Sequence, residues 1–300
     1  MNLTFQEIRG DNLISFKEEF EEYLAHHPYR EYGNSFGMFR YIVSGPEGKP
    51  AIVFLNGLGM QEMWLPYMKA LEKNHRVLMM EYPESCSTAE QLIDSINGLL
   101  HILNIKDPVL IGASDGGVLA QLYVRRFPDE AKALILMTTV TIDSKYCDDT
   151  NKEDPKRYLR MVSLTPFFLL RKILLKLVLT YFRGESEEEQ AYGTSFIQYI
   201  ASDPRYKKKY IQSVRIVYDI AKQEYMDPSE FASLQGRILV IHPEDDIFTK
   251  EDQDKLSALV AEAGGSTIRL AGGHLTFVSG PAKYIDEIKT FLTQTEDIYE

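Results

Sequence analysis

Residues 108–117 join a short apolar run to a Gly-x-Ser-x-Gly turn, and this segment constrains the fold more than any other part of the chain. The apolar run has the composition of a buried strand, and a helix-like stretch over residues 118–126 follows the turn at once. So tight a turn needs small residues at Gly112 and Gly116, and it holds Ser114 in a strained conformation with its hydroxyl exposed. The N-terminus of the following helix directs backbone N–H groups and a positive dipole end to the place where an oxyanion would form. The segment therefore predicts a nucleophilic serine; the alternative is an ordinary glycine–serine turn.

A regular alternation of strands and helices surrounds this segment. Apolar runs typical of strands covered on both faces alternate with helical patterns up to residue 141 and again from residue 237. The predicted strands are residues 51–55, 76–80, 109–112, 134–137, 237–241 and 267–270, after a hairpin over residues 29–43; the predicted helices between them are residues 62–73, 88–103, 118–126, 250–263 and 282–292. This order predicts an α/β fold with a mostly parallel sheet flanked by helices. Residues 142–230 show helical patterns without a clear strand, so we expect them to form a helical cap inserted into a core of residues 1–141 and 231–300.

Charge and cysteine content narrow the classes of function. A net charge of −11 argues against nucleic-acid binding, which needs a basic surface, and the lysine run at residues 207–209 is interpreted as a solvated helix face. The first residues lack the features of a secretory signal. Cys86 and Cys147 have no metal-ligand neighbours, and we assign both to the structure. So few cysteines indicate a reducing compartment, and we expect a cytoplasmic protein without a metal site.

The richest apolar stretch, residues 161–182, is interrupted by cations and is not a credible membrane span. At helical spacing, Lys172 and Lys176 share one polar stripe with residues 180 and 183, whereas Arg171 lies outside the stripe and Leu169 falls within it. The opposite face is apolar and contains Leu170, Ile173, Leu174, Leu177 and Val178. This pattern predicts one amphipathic helix, which either packs over the domain or faces lipid or an acyl chain. The acidic residues 183–189 after it are interpreted as a hinge.

A serine hydroxyl needs a base within hydrogen-bond reach, and the base needs an acid to orient it. His274 follows the predicted strand 267–270 after two glycines, in a loop at the strand ends that line the ligand crevice of such sheets. We therefore predict His274 as the base. His242 is interpreted as a strand-end residue whose hydrogen bonds are satisfied. The other four histidines lie in the N-terminal segment, before a strand or inside a helix: His26, His27, His75 and His101.

The acid should also follow a strand. The predicted strand 237–241 runs into His-Pro-Glu-Asp-Asp, and Asp246 is our first choice because earlier acids in such loops often form the turn. Asp245 is the second candidate and Asp143 the third. The chain order Ser114, Asp246, His274 matches the order found in α/β-hydrolases.

An oxyanion hole needs two backbone donors. We predict the N–H of Asp115 as one and the N–H of Leu58, in the glycine-rich loop after strand 51–55, as the other. A substrate pocket is expected around that loop, lined by Asn56, Gly57, Met60 and Trp64. For Met60 and Trp64, core packing is an equally good account. The Asp115 carboxylate either attracts a cationic substrate group or complements the dipole of the helix that it begins.

Taken together, these motifs resemble the α/β-hydrolase superfamily over nearly the whole chain. The resemblance rests on Asn56-Gly57-Leu58-Gly59, on the Gly112–Gly117 turn, on Asp246 and on Gly273-His274. It implies an eight-stranded, mostly parallel sheet, a cap inserted after the sixth strand, and an acyl-enzyme intermediate without metal or organic cofactor. The chain departs from the family pattern at Asn56 in place of His, at Pro243 in place of Gly, and over residues 81–85. The serine turn and the apolar cap also look similar to maspardin-like proteins, a branch that includes binding proteins.

The presence of all three triad residue types favours an enzyme. We expect hydrolysis of a carboxylic ester, or a related acyl bond, of a small to medium, hydrophobic molecule. The alternatives are hydrolysis of a C–C bond or acyl transfer on the same fold, and a binding protein that has kept the fold without catalysis. The sequence leaves the oligomeric state and the identity of the substrate open.

Overall fold

The computed structural model describes residues 15–178 and 186–296, and its centre is one eight-stranded sheet. The strands are β1 (Arg30–Asn34), β2 (Gly37–Ser44), β3 (Ala51–Leu55), β4 (Arg76–Glu81), β5 (Val109–Ala113), β6 (Ala133–Met137), β7 (Ile238–Asp245) and β8 (Ser266–Gly273). Their order in the sheet is β1-β2-β4-β3-β5-β6-β7-β8. β2 pairs antiparallel with both β1 and β4, and every other pairing is parallel. The predicted α/β fold is therefore confirmed.

Helices cover both faces of this sheet. They are α1 (Phe16–His26), α2 (Leu65–Leu71), α3 (Ala89–Ile102), α4 (Asp115–Arg126), α5 (Lys145–Lys152), α6 (Pro155–Leu164), α7 (Phe167–Val178), α8 (Glu187–Ile200), α9 (Tyr206–Ile220), α10 (Lys250–Glu262), the short α11 (Thr276–Ser279) and α12 (Ala282–Glu296). Two 3-10 turns, Gln61–Trp64 and Pro228–Leu234, complete the set. The predicted helix over 62–73 thus begins as a 3-10 turn, and the helix predicted from residue 118 begins three residues earlier.

The central strands are buried on both faces because alternate side chains enter two separate cores. Ile52 and Phe54 of β3 pack on one side of the sheet, whereas Val53 and Leu55 pack on the other. All five residues of β3, β5 and β6 are buried. Apolar runs without a polar alternation are the expected composition of such parallel strands. The same arrangement brings the carboxyl ends of β3, β5, β6, β7 and β8 to one edge of the sheet.

The five helices α5 to α9 lie between β6 and β7, within the predicted insertion. The amphipathic helix predicted over residues 161–182 is wrong as one element, since α6 ends at Leu164 and α7 begins at Phe167, after Pro166. Proline disfavours the helical conformation in the residue before it, which explains the break. The predicted apolar face is also split, because Leu170 is buried while Ile173 is exposed. The polar residues 180 and 183 and the first part of the predicted hinge lie outside the described residues.

The lysine run of α9 is not the uniform solvated face that the sequence indicated. Lys208 is exposed, but Lys209 is buried, and its Nζ lies 3.0 Å from Glu81 Oε1 and 3.5 Å from Glu62 Oε1. Burial raises the pKa of Glu62, although Lys209 opposes the shift. A buried ion pair of this kind links the inserted α9 to the end of β4 and to the 3-10 turn after β3.

In the described part of the chain, we find no helix with the length and hydrophobicity that crossing a membrane requires. Both cysteines are buried free thiols.

Candidate active site

Ser114 lies between β5 and α4 with φ of 53° and ψ of −127°, a conformation that side-chain-bearing residues rarely adopt. The neighbouring glycines make this turn possible. A Cβ on Gly112 would lie 2.3 Å from the carbonyl oxygen of Gly116, and a Cβ on Gly116 would lie 2.2 Å from that of Leu55. The turn therefore requires small flanking residues, as expected from the sequence, because the backbones of β3, β5 and α4 are in contact at this point.

The residues after β6 support the same turn. The Ser114 N–H donates to the Met137 carbonyl at 3.1 Å, and the Thr139 hydroxyl donates to the Ser114 carbonyl at 2.6 Å. Gly117 makes room for this hydroxyl, since a Cβ there would lie 2.6 Å from the Thr139 oxygen. Sequence reasoning missed Thr139; its position just past the end of a parallel strand was the available signal.

Three side chains from separate loops form a continuous hydrogen-bonded chain. His274 Nε2 lies 3.1 Å from Ser114 Oγ, and His274 Nδ1 lies 2.6 Å from Asp246 Oδ1. The carboxylate accepts from Nδ1–H, which leaves Nε2 as the acceptor for the serine hydroxyl. The structure thus brings together Ser114, His274 and Asp246, in the distances that proton transfer from a serine to a histidine requires.

The Asp246 side chain is fully buried and held by several donors. Besides His274, its Oδ1 accepts from the Ile247 N–H at 2.7 Å. The two other candidates for the acid lie elsewhere: Asp245 is exposed at the end of β7, and Asp143 forms an ion pair with Lys255 at 2.9 Å. Of the three carboxylates, only Asp246 is hydrogen-bonded to His274 among the contacts that the structure describes.

The loop that carries His274 is fixed at both ends. Gly272 has a φ of 124°, in the region that favours glycine, and a Cβ on it would lie 2.4 Å from the Thr276 hydroxyl oxygen. That hydroxyl accepts from the Gly273 N–H at 2.8 Å. The Phe248 ring contacts the imidazole edge-on, with ring centroids 5.3 Å apart. Two glycines therefore let the chain turn the imidazole inward, as the sequence indicated.

His242 is fully buried inside β7, which continues to Asp245 rather than ending at residue 241 as predicted. Its Nε2 lies 3.2 Å from the Ser257 hydroxyl. The buried Nδ1 has no hydrogen-bond partner among the described residues, so the expectation of satisfied hydrogen bonds is not met at this nitrogen. Burial, and then the positive charge of Arg269, lower the pKa of His242 to about 4. A histidine in this environment remains neutral at physiological pH.

The loop after β3 lies against the serine turn. A Cβ on Gly57 would lie 3.0 Å from Ser114 Cβ and 3.4 Å from the Asp115 nitrogen, so the two backbones are in close contact. Leu58 has a φ of 47°, a second strained backbone at the site. The Tyr82 hydroxyl binds the Asn56 backbone, accepting from its N–H at 2.8 Å. Tyr82 belongs to the segment that departs from the family pattern, and the sequence did not reveal its role.

The Asp115 carboxylate contacts the loop after β3, a contact that the sequence did not indicate. The Leu58 N–H, one of the two predicted oxyanion donors, donates to Asp115 Oδ2 at 3.4 Å. Burial raises the pKa of Asp115 to about 6, although the Leu58 N–H, His274 and Tyr146 each lower it. Its side chain therefore does more than complement the dipole of α4: it places a titratable group beside a predicted oxyanion donor.

The other residues predicted to line a pocket occupy two environments. Trp64 and Met60 are buried in the core, and Trp64 stacks on Phe54 with ring centroids 4.8 Å apart. Core packing accounts for both. Asn56 borders a small cavity of about 10 Å³ between the loop and α9, together with Leu58, Asp115 and Ser213.

Comparison with known proteins gives a family and several relatives. The sequence model of the alpha/beta hydrolase fold family matches residues 50–280. Over 145 residues, the chain is 28% identical to a protein of Bacillus subtilis (strain 168) named uncharacterized carboxylesterase nap, covering 43% of this chain and 48% of that protein. Over 122 residues, it is 31% identical to the monoacylglycerol lipase abhd6-B of Xenopus laevis, covering 36% of each. The chain thus matches about half or less of the length of these relatives.

Solved structures agree with the fold. The enol-lactonase from Burkholderia xenovorans LB400 superimposes with a TM-score of 0.70, covering 88% of this chain and all of that one, at 20% sequence identity. At this identity the similarity concerns the fold alone.

Proposed function

The chain belongs to the alpha/beta hydrolase fold family, and from this premise we propose that it is a serine hydrolase that cleaves a carboxylic ester through an acyl-enzyme intermediate. The observation that carries the proposal is the hydrogen-bonded chain from Asp246 through His274 to Ser114. The names of the carboxylesterase and monoacylglycerol lipase relatives, each for an enzyme of ester bonds, support the choice of bond.

In the first half of the proposed reaction, His274 Nε2 accepts the proton of Ser114 as the serine oxygen attacks the ester carbonyl carbon. Asp246 holds the imidazole in the tautomer that has a free Nε2 and stabilises the imidazolium that forms. The N–H groups of Asp115 and Leu58 are the proposed donors to the developing oxyanion. When the tetrahedral intermediate collapses, the C–O bond to the alcohol breaks and His274 returns the proton to the leaving alcohol.

In the second half, water replaces the alcohol. His274 accepts a proton from the water, whose oxygen attacks the acyl carbon of the ester formed on Ser114. Collapse of the second intermediate releases the carboxylic acid and returns the proton to Ser114. The same two N–H groups are the proposed donors in both steps, and for Leu58 this requires its N–H to exchange the Asp115 carboxylate, at 3.4 Å, for the substrate oxygen.

Kinetics with p-nitrophenyl esters from acetate to laurate test this function. We expect a burst of p-nitrophenol followed by slower turnover, with the preferred chain length reporting the size of the acyl pocket. Ser114→Ala should abolish the burst and leave the melting temperature nearly unchanged. A folded parent chain without any ester turnover would contradict the proposal; cleavage of a vinylogous diketone in its place would indicate C–C bond hydrolysis.

A further inference from the structure

Large apolar side chains cluster on the outside of the inserted helices α6 and α7. Five of them, each between 44% and 73% exposed, fall within residues 161–173: Met161, Leu164, Phe168, Leu169 and Ile173. Within residues 15–178 and 186–296, the other large apolar side chains that reach this exposure are scattered along the chain: Met38, Ile102, Tyr225 and Ile247. A concentration of exposed apolar residues in one short segment, unlike single scattered ones, is typical of an interaction site. We call residues 161–173 and their flanking cations the α6–α7 patch.

Buried side chains and hydrogen bonds to the backbone on the inner side of α6 and α7 fix the patch to the rest of the molecule. Val162 of α6 and Leu170 of α7 are buried, so each helix has one side against the molecule and the other in solvent. Lys207 of α9 donates through Nζ to the carbonyls of Ser163 and Thr165, both at 2.7 Å. The turn between α6 and α7 is therefore fixed to α9, and the exposed side chains belong to a folded surface.

Helices α6 and α7 are basic, although exposed acids flank them: Glu153 and Asp154 precede α6, and Glu187 and Glu188 begin α8. Residues 155–178 contain no aspartate or glutamate, in a protein whose net charge is −11. Six cations lie among them, all exposed and none ion-paired with a carboxylate in the described residues: Lys156, Arg157, Arg160, Arg171, Lys172 and Lys176. Along α7, Lys172 lies between the exposed Leu169 and Ile173 in the sequence, so cationic and apolar side chains are mixed on this part of the helix.

We propose that the α6–α7 patch docks on an anionic lipid–water interface. Apolar side chains of this size enter the boundary between headgroups and acyl chains, while lysine and arginine bind the lipid phosphates. The interleaving of the two kinds of side chain argues for mobile headgroups as the partner, because a protein interface has an apolar centre from which charges are depleted.

Helix α9 connects the patch to the candidate active site. Lys207 binds the turn between α6 and α7, and two residues later the Lys209 side chain packs beside Gly59 of the loop after β3, where a Cβ would lie 2.9 Å from Lys209 Cβ. Through α9, the turn between α6 and α7 is therefore connected to the loop after β3. Delivery of an ester from the lipid surface to Ser114 rests on the proposed function, whereas the docking itself does not.

Vesicle flotation of the full chain tests the docking. The experiment uses the Ser114→Ala background, so that binding is measured without lipid turnover, and vesicles of phosphatidylcholine alone or in an equimolar mixture with phosphatidylglycerol. We expect binding to the mixed vesicles that weakens as salt is raised. The double variants Leu164→Ser/Phe168→Ser and Arg160→Gln/Lys172→Gln should each lower the partition coefficient by about tenfold or more.

Two exposed residues outside the patch provide matched controls. Ile102→Ser removes an equally exposed apolar side chain, and Lys222→Gln removes an exposed cation; both should bind as the parent does. Failure of the parent chain to float with the mixed vesicles would overturn the proposal, as would equal binding by the double variants or by pure phosphatidylcholine vesicles. Self-association that depends on the patch, without lipid binding, would assign the surface to a second copy of the chain.

Discussion

At the scale of single residues, Asp115 is the group whose chemistry is least expected. It begins α4 directly after Ser114, and its carboxylate accepts from the Leu58 N–H, a predicted oxyanion donor. Because burial raises its pKa to about 6, the side chain changes charge close to neutral pH. A carboxylate at this position opposes the negative charge that develops on the ester oxygen.

Asp115→Asn should therefore raise kcat/KM for a neutral ester at pH 8 by about fivefold, which corresponds to roughly 1 kcal/mol of transition-state stabilisation. Below pH 6 the gain should shrink, because the parent carboxyl is already protonated there. Steady-state kinetics across this pH range measure the difference. A loss of activity of the same size at every pH would mean that the carboxylate is needed for structure or for a cationic substrate.

The same substitution has a consequence for stability. The native carboxyl retains its proton to a higher pH than it does in the unfolded chain, where its ordinary pKa of 3.8 applies. Between pH 3.8 and 6 the folded state binds more protons, so this group lowers the stability of the fold as pH rises through that window. Asp115→Asn should raise the melting temperature at pH 8 relative to the parent, and should have less effect at pH 4. An equal shift at both values would contradict the burial of a charge at this position.

Asp245 is the last residue of β7 and Asp246 directly follows it. Substituting each in turn distinguishes the catalytic role of the acid from a structural role of the loop. Asp246 is bonded to His274, whereas Asp245 is exposed at the strand end. We expect Asp246→Asn to lower kcat/KM by about a thousandfold or more, because an amide does not hold the imidazole in the reactive tautomer. Asp245→Asn is the matched control and should change kcat/KM by less than about threefold. The reverse order of the two effects would reassign the acid.

At the scale of elements, the contact between β3, β5 and α4 depends on glycines. Gly116→Ala would place a methyl group 2.2 Å from the Leu55 carbonyl oxygen, and the backbones must separate to admit it. We expect a loss of about 3 kcal/mol in the free energy of unfolding, measured by urea denaturation. Gly98→Ala on α3 is the control: its Cβ would meet no atom within 4 Å, and alanine in a helix interior should add about 0.5–1 kcal/mol. Equal losses at the two positions would argue against the close approach.

The stability of the fold is also expected to depend on pH through His242, which is buried inside β7. His242 has a pKa of about 4 in the folded chain against 6.5 as its ordinary value, so the unfolded state takes up a proton first as pH falls. The stability of the fold should therefore decrease from pH 6.5 towards pH 4. His242→Gln should flatten this part of a plot of melting temperature against pH, while His26→Gln, at an exposed position on α1, should not. An unchanged slope for His242→Gln would show that the imidazole is not held neutral by its surroundings.

At the scale of the whole molecule, topology explains why so much was predictable. The carboxyl ends of parallel strands meet at one edge of the sheet, so residues 114, 246 and 274 were expected to converge although they lie far apart in the chain. What the sequence did not reveal depends on packing between distant segments. Thr139 and Tyr82 act through the backbones of Ser114 and Asn56. Lys209 was expected in solvent but is buried beside Glu62 and Glu81, because α9 lies against the loop after β3. No local pattern carries that information.

A fluorophosphonate probe reports whether Ser114 is a nucleophile activated by His274. The serine oxygen attacks phosphorus, fluoride leaves, and the stable adduct is located by mass spectrometry of the digested protein. We expect one adduct, on the peptide that contains Ser114. It should form in the folded parent chain but not after denaturation, and far more slowly in His274→Ala. A folded chain that stays unlabelled, or equal labelling of the histidine variant, would contradict this role of Ser114.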